Sequence, residues 1–393
     1  MIDTTISTSN SDTAEAAERV TEIRRLVSSL PAIEQCNEET VLEADLLITA
    51  GGFEARVFGL PQRLKAGAIR RAVLLEYEPN DPRNRLTELR EALSNNGIEI
   101  TDDDIVKFDR YDPEDFEARL KKLINAHGPE RVLLDISGMS KLAILLCLEV
   151  CRKINLNTYL FYCEAEEKAP SLEKYELAKK EGNLHRPSIQ IYTGIHSVIH
   201  VACLSSVAMQ GQPSAAIAFM SFNELLTQAL LNAVFPARLF LINTASDTWR
   251  WRESATAWIH EQLRQEWPSE DNPLEGPSKL PVRKASAINY QEALTIILNL
   301  YWQLAIDHRI TLAPTGTKMQ TVGCFLARAL HPDIHIEYPT PEGFFENYSK
   351  RIGRGWLIRF GKIDDLVINL TMNEKRALLG TNANGHDGSS SAT

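Results

Sequence analysis

The chain has 393 residues, which is long enough for two to three domains at roughly 150 residues each. The composition is ordinary for a soluble globular protein, and the net charge of −10 argues against a binder of long nucleic acid, because such proteins are usually basic. The polar N-terminus does not read as a secretory signal, and no apolar run approaches the roughly 20 residues of a membrane span. We therefore expect a cytoplasmic protein that has no membrane partner.

The first half of the chain alternates between helical and strand-like patterns. Residues 1–40 predict a polar arm and then a helix over residues 14–30, where apolar residues recur at helical spacing. In residues 41–186, short apolar strands alternate with helices, which is typical of parallel βαβ units in a Rossmann-like half. Residues 187–214 predict a helix that bridges to the second half, since the run 191–209 is apolar with scattered polar residues.

The alternation resumes in residues 215–345, which predict a second Rossmann-like half. Residues 346–379 predict a C-terminal β-hairpin with strands over residues 356–360 and 366–370. Residues 380–393 are rich in glycine, serine and asparagine, a composition typical of a disordered tail. The predicted fold is therefore α/β. It has two fused Rossmann-like halves whose parallel sheets are related by an internal duplication, plus a small C-terminal β-hairpin.

The main evidence for a duplication is a pair of glycine loops, one in each half. In each loop a β-like run ends in small residues, and a lysine opens the next helix. The loop residues are Ser137, Gly138, Ser140 and Lys141 in the first half and Thr315, Gly316, Thr317 and Lys318 in the second. Other elements recur in the same order at similar offsets. Any two α/β halves share some of this order, so the alternative is a coincidental likeness.

Both loops have the composition of an anion site. Parallel sheets bind ligands beyond the carboxyl ends of their strands, where a helix N-terminus offers unpaired N–H groups that favour phosphate. Glycine lets a ligand approach the backbone, hydroxyls donate hydrogen bonds, and lysine adds charge. The motifs GxxxxGK[ST] and GxGxxG are absent, which argues against a kinase, a P-loop ATPase or a typical dinucleotide enzyme. The alternative interpretation is a tight turn with capping hydroxyls and a solvated lysine.

Polar residues also follow the first predicted strand of each half. Glu54 and Arg56 come after it in the first half, and Asn223 lies at the related position in the second. We expect all three to contact the ligand, although Glu54 and Arg56 can instead form an ion pair. Asp135 precedes the first loop and its counterpart is the apolar Ala313, so the two half-sites should differ. For Asp135 we favour a structural or ribose-binding role.

The sequence predicts no cofactor and no metal site. The six cysteines show no CxxC or Cys/His spacing and read as buried thiols in a reducing compartment. His196 and His200 lie four residues apart, but no third ligand follows within sequence range. They therefore read as a buried polar pair or as surface histidines.

The second loop, Thr315-Gly316-Thr317-Lys318-Met319 after a strand, resembles the Thr-Gly-Gly-Thr-Lys-type loop of CRISPR-associated Rossmann-fold (CARF) sensor domains. That family binds cyclic oligoadenylates between two copies of the fold. Two copies in one chain resemble the related SAVED sensors of antiviral cyclic-nucleotide signalling. This chain departs from the pattern, since its second loop has one glycine and its first loop is one residue longer. No nuclease, protease or membrane effector segment is evident, so a sensor of this kind would signal through a protein partner.

Three functions follow as hypotheses. The first is a sensor that binds a phosphate-containing nucleotide second messenger between the two halves, with a role in antiviral defence. The second is an enzyme, a hydrolase or an isomerase-like protein, that acts on a phosphorylated nucleoside or sugar with Glu54, Asp135 and Lys141 as acid/base candidates. The third is a component of a protein assembly in which both sites are vestigial.

Overall fold

The protein is described here by a computed structural model. It covers residues 10–379 with side chains over residues 17–377, apart from the gaps at residues 38, 184–187, 262, 264–282 and 346–347. The predicted tail over residues 380–393 lies outside the described residues. Among the helices that are described, none has both the length and the apolar character needed to cross a bilayer.

The first half begins with a long helix and continues with strands and helices in alternation, as predicted. Its elements are α1 (Asn10–Ser28), β1 (Glu34–Gln35), β2 (Ala44–Ala50), β3 (Ile69–Glu78), α2 (Leu86–Asn95), β4 (Ile105–Asp109), α3 (Phe116–His127), β5 (Arg131–Asp135), α4 (Lys141–Lys153), β6 (Asn157–Cys163), β7 (Glu167–Lys168) and α5 (Leu172–Lys180).

The second half repeats this alternation and ends in a helix. Its elements are β8 (Tyr192–His200), β9 (Ser214–Phe219), α6 (Leu225–Val234), β10 (Arg238–Ala245), α7 (Arg250–Ile259), β11 (Arg283–Ser286), α8 (Tyr290–Leu304), β12 (Arg309–Ala313), α9 (Lys318–Leu330), β13 (His335–Phe344), β14 (Ser349–Lys350), β15 (Gly355–Lys362) and α10 (Ile363–Leu379).

The two main sheets share one strand order. The parallel strands of the first sheet lie in the order β4-β3-β2-β5-β6, and those of the second in the order β11-β10-β9-β12-β13. Numbered within its own half, each sheet has the order 3-2-1-4-5 of a Rossmann-like half. The predicted α/β class with two Rossmann-like halves is confirmed.

Each sheet gains an antiparallel strand beside its fifth parallel strand. In the first sheet β15 pairs with β6, and in the second β8 pairs with β13. The short β1 then pairs with the outer edge of β15. Because β15 comes after the second half in sequence, the C-terminal segment returns to complete the first sheet.

The apolar core is continuous across both halves. Helices α4 and α9 contact each other, and the residues of α4 from Leu142 to Cys151 are buried on every side. A helix that is buried all round belongs in the interior of a larger unit. On α9, a Cβ at Gly323 would lie 2.9 Å from the Tyr290 carbonyl oxygen, so glycine permits the close approach of α8. The two halves are therefore joined by packing as well as by the chain.

The predicted bridging helix over residues 187–214 is wrong, because its central part is the strand β8. Thr193, Ile195, Val198 and Ile199 are β-branched and favour extended backbone. The edge of β13 supplies the hydrogen-bond partners that stabilise this strand. The sequence offered apolarity without a clear period, and pairing with β13 decided the conformation.

The predicted C-terminal hairpin is also wrong. Its first strand is present as β15, but it pairs with β6, and the predicted second strand over residues 366–370 is part of α10. Ile363, Val367 and Leu370 recur at helical spacing and are buried in the core. Asp364 and Asp365 lie in the first turn, where carboxylates stabilise the helix dipole.

Candidate functional site between the two halves

The first glycine loop is held by hydrogen bonds within its own half. The Asp135 carboxylate accepts a hydrogen bond from the Ser137 N–H at 2.9 Å and another from the Thr49 hydroxyl at 3.2 Å. The Ser137 hydroxyl oxygen in turn accepts from the Cys163 N–H at 2.9 Å. Burial raises the pKa of Asp135 to about 6, although these hydrogen bonds act in the opposite direction. Asp135 thus positions the loop, in line with the structural role favoured from the sequence.

Gly138 and Ser140 fix the loop against β2 and α4. A Cβ at Gly138 would lie 2.2 Å from the Ala50 carbonyl oxygen, so a larger residue would force the backbone to move. The Ser140 hydroxyl caps α4 by accepting from the Ala143 N–H at 3.1 Å. The Ser140 N–H donates to the Tyr77 hydroxyl at 2.6 Å. This backbone donor at the start of α4 is therefore already paired.

The polar groups of the second glycine loop are hydrogen-bonded within the protein, and the Gln320 side chain fills the space above Gly316. The fully buried Thr315 hydroxyl donates to the Phe219 carbonyl oxygen. Thr317 forms a capping box with Gln320, in which each side chain accepts from the other residue's N–H. A Cβ at Gly316 would lie 2.1 Å from Gln320 Oε1, so the Gln320 amide fills the space above the glycine. The same amide donates at 3.2 Å to two carbonyl oxygens of β11.

The two predicted lysines cross between the halves. Lys141 Nζ donates to the Thr315 carbonyl oxygen of the second loop at 2.9 Å. Lys318 Nζ donates to the Ile136 carbonyl oxygen of the first loop at 3.1 Å, and also to that of Ser137. Each lysine therefore begins a helix in one half and contacts the glycine loop of the other.

Burial disfavours the charge on both lysines. It lowers the pKa of Lys141 to about 7, and it lowers that of Lys318 well below the ordinary value, with repulsion from Arg56 adding to the effect. Backbone carbonyls compensate a buried ammonium only in part, so an anion placed beside these groups would stabilise their charged forms.

Glu54 and Arg56 form the ion pair that the sequence allowed as an alternative to ligand contact. Arg56 Nε donates to Glu54 Oε2 at 2.9 Å, and the Ser349 hydroxyl donates to Oε1. Burial alone would raise the pKa of Glu54, but Arg56 and Lys318 outweigh it, and the pKa is lowered. Arg56 also donates to the Tyr162 hydroxyl at 3.3 Å. The pair brings one positive and one negative side chain to the same interface.

Asn223 lies away from these groups. Its side-chain oxygen accepts from the Ile191 N–H at 2.9 Å, and its amide nitrogen donates to the Ile189 carbonyl oxygen at 3.3 Å. The residue is 1% exposed. These contacts hold the segment that enters β8.

A cavity of about 160 Å³ lies between the halves, at the carboxyl ends of the first sheet's strands. The first half contributes the loop after β2, the end of β3 and the first glycine loop. The second half contributes Lys318, the start of β8 and the end of β13. Of the predicted site residues, those that line the cavity are Glu54, Arg56, Gly138, Ser140, Lys141 and Lys318. Those outside its lining are Ser137, Thr315, Gly316, Thr317 and Asn223.

Three further residues line this cavity with buried polar atoms that have no hydrogen-bond partner among the described residues. They are Asn84 through Oδ1, Arg110 through Nε and Thr340 through Oγ1. Leaving such an atom unsatisfied costs about 1–3 kcal/mol, so each one marks a place where a ligand atom can bind. Asn84 and Arg110 follow the ends of β3 and β4, and the rule that ligands gather at strand ends would have identified them. Thr340 comes from the other half, and nothing in the sequence indicated it.

Aromatic side chains and hydrogen bonds join the halves above the cavity. The rings of Phe53 and Phe344 lie 5.8 Å apart, and Arg83 stacks over Phe53 at 4.4 Å. Arg83 donates to the Phe344 carbonyl oxygen at 3.1 Å, and the Tyr111 hydroxyl donates to that of Glu342 at 3.3 Å. The strands β8 and β13 thus form a roof that is tied to loops of the first half.

No protein-family model matches the chain, and no curated protein matches it. Among solved structures, a Type III CRISPR defence DNA nuclease activated by cyclic oligoadenylate is similar at 11% sequence identity with a TM-score of 0.46, and the match covers 75% of this chain but 65% of the nuclease. A universal stress protein from Archaeoglobus fulgidus DSM 4304 is 10% identical with a TM-score of 0.22, over 76% of this chain and 96% of that one. CobK precorrin-6A reductase is 8% identical with a TM-score of 0.19, over 76% and 89%. Similarity at these values supports no conclusion about function.

Proposed function

We propose that this protein is a cytoplasmic sensor that binds a phosphate-containing nucleotide between its two halves and signals to a protein partner. One observation carries the proposal. Two desolvated lysines and three buried polar atoms without partners lie around a single cavity that both halves line. Perturbed titratable groups and unsatisfied polar atoms in one cleft are typical of a binding site.

The chemistry of the lining fits a nucleotide. Lys141 and Lys318 line the cavity and can each donate to a phosphate group, and Arg110 Nε offers one more donor. Asn84 Oδ1 is an acceptor for a hydroxyl or an exocyclic amino group. Phe53 and Phe344 offer apolar faces on which a base can stack.

The size of the cavity connects binding to a change in shape. A cavity of about 160 Å³ is close to an engineered cavity of about 150 Å³ that holds one benzene molecule. The closed form therefore accommodates about one ring or one phosphate group. A whole nucleotide is larger than this space, and loosening of the Lys141 contact and the roof contacts would make room for it, so a ligand that binds the open arrangement better would shift the population towards it. We further propose that the ligand is a second messenger of antiviral defence.

An enzyme is the second candidate, and one observation favours it. Lys141 lines the cavity with a pKa lowered to about 7 by burial, which suits proton transfer at neutral pH. Asp135, the other acid/base candidate, has both carboxylate oxygens engaged and lies outside the lining.

Native mass spectrometry of the protein recovered from its host, with and without phage challenge, tests the proposal. The expected result is a nucleotide adduct that is released intact after denaturation and is recovered unchanged after incubation with fresh protein. Conversion of the nucleotide to a product would favour the enzyme. A protein without an adduct, and without binding to a panel of linear and cyclic nucleotides in calorimetry, would overturn the proposal.

A further inference from the structure

A second cluster of ligating side chains lies at the opposite end of the roof strands. His335 begins β13 and Glu337 follows two residues later, on the same side of the strand. In the antiparallel pairing, Glu337 lies directly opposite His200, the last residue of β8. One ligand atom from each of the three side chains can be chosen so that all three lie within 4.8 Å of one another.

We propose that His200, His335 and Glu337 form a zinc(II) site. Two imidazoles and one carboxylate are a ligand set that zinc prefers, and three protein ligands leave a position open for water. Glu337 Oε1 is 2.7 Å from His335 Nε2 and 3.5 Å from His200 Nδ1. Zinc bonds of about 2.0–2.2 Å place neighbouring ligand atoms a little over 3 Å apart. The three ligand atoms lie within 4.8 Å of one another, so they must draw together by up to about 1.5 Å, and His200, whose side chain is 59% exposed, has room to move.

The buried histidine shows what must change when the metal binds. His335 is 1% exposed, and its Nδ1 accepts a hydrogen bond from the Ser206 N–H at 3.3 Å. Its Nε2 therefore carries the proton and donates to Glu337. When zinc binds at Nε2, this proton moves to Nδ1, and the bond from Ser206 is lost. The segment around Ser206 should then shift.

The sequence alone does not predict this zinc site, because its ligands come from two strands that lie more than a hundred residues apart. His196, the neighbour considered with His200, stacks instead on Tyr111 at 3.7 Å between ring centroids. Metal at the cluster would link β8 to β13, the same two strands that roof the cavity. The site does not depend on the proposed nucleotide ligand.

Titration of the tag-free, metal-stripped full-length protein with zinc chloride tests the site, with cobalt(II) absorbance as a probe of the ligand sphere. We expect one zinc per chain and a cobalt spectrum of low-symmetry, four- or five-coordinate geometry. His200→Ala and Glu337→Gln should each weaken zinc binding more than tenfold, whereas His196→Ala, on the same strand, should leave it unchanged.

Thermal unfolding adds a second readout that does not depend on a buried variant folding well. Zinc should raise the Tm of the wild-type protein and of His196→Ala, because it binds the folded state. It should not raise the Tm of His200→Ala. Equal zinc affinity in His200→Ala and the wild type, or no saturable binding by the wild type, would overturn the proposal.

Discussion

At the scale of single residues, Lys141 and Lys318 connect the two halves and also line the cavity. Lys141 and Lys318 each donate to a carbonyl of the opposite loop, and both are desolvated. The sequence predicted that these two residues open helices at strand ends. It did not show that each lysine contacts the glycine loop of the opposite half, because the carbonyl groups that accept these hydrogen bonds lie more than 170 positions away. Local pattern identifies such residues, and tertiary packing decides what they contact.

The lowered pKa of Lys141 predicts a pH dependence of binding. In the ligand-free protein, Lys141 is half-protonated near pH 7. A bound phosphodiester stabilises the charged form of this lysine, so ligand binding is accompanied by the uptake of a proton. Affinity should therefore fall as pH rises from 6 to 8, by at most about tenfold per pH unit. Calorimetry across this range checks the slope, with a ligand whose phosphodiester does not titrate there. Lys141→Met should reduce the slope, and an unchanged slope in this variant would assign it to another group such as Lys318.

Removing one of the three unsatisfied polar atoms should have opposite effects on the free energy of unfolding and on the affinity for the ligand. Thr340→Val removes a buried hydroxyl that has no hydrogen-bond partner among the described residues and keeps the shape of the side chain. The free energy of unfolding should therefore stay the same or rise by up to about 1–2 kcal/mol. Affinity for the ligand should fall at the same time. Urea unfolding and calorimetry measure the two quantities. A variant that loses stability and keeps its affinity would show that Thr340 serves the ligand-free structure alone.

At the scale of elements, the two glycine loops have diverged. Gly138, Ser140 and Lys141 of the first loop line the cavity, whereas Lys318 alone of the second loop does so, and the Gln320 amide fills the space above Gly316. The sequence showed two similar loops and predicted unequal half-sites from their surroundings. It did not reveal the cause, because Gln320 reads as an ordinary residue of an amphipathic helix.

This divergence predicts that the loops respond differently to equivalent substitutions. Thr317→Ala removes a helix cap and should reduce the unfolding free energy by about 1 kcal/mol, with nucleotide affinity unchanged. Ser140→Ala removes the matching cap of α4 beside the cavity and should reduce both. Equal losses of affinity in the two variants would contradict the asymmetry.

The regular βαβ pattern made most of the fold predictable, and the exceptions share a physical cause. Both β8 and β15 are antiparallel strands added beside the fifth parallel strand of a sheet, and each pairs with a strand distant in sequence. The parallel strands could be recognised from their local alternation with helices. The two added antiparallel strands depend on tertiary pairing, so their apolar runs predict a helix in one case and a hairpin in the other.

At the scale of the whole molecule, the shared core and the cavity divide the interface into two parts. Helices α4 and α9 hold the halves together through apolar packing, and the polar contacts of the roof join the halves at a second place. A ligand can therefore loosen these polar contacts while α4 and α9 stay packed. This arrangement suits a sensor that changes shape while it stays folded.

The roof contacts predict a measurable opening. Tyr111→Phe removes the hydrogen bond to the Glu342 carbonyl oxygen and leaves the ring that stacks on His196. Amide hydrogen exchange in β8 and in the second part of β13 should become faster, while exchange in α4 stays slow. If β8 exchanges at the wild-type rate, the hydrogen bond does not hold the roof.

The most direct test of the central claim is calorimetric titration of the nucleotide found in the native protein into the double variant Lys141→Met, Lys318→Met. Both methionines keep the apolar volume of the side chain, but the loop carbonyl oxygens lose a hydrogen bond, so the variant should fold with a Tm below that of the wild type. Binding should be lost in this variant and retained in Thr317→Ala. Wild-type affinity in the double variant would contradict it, because the nucleotide would then bind somewhere other than the cavity between the two halves.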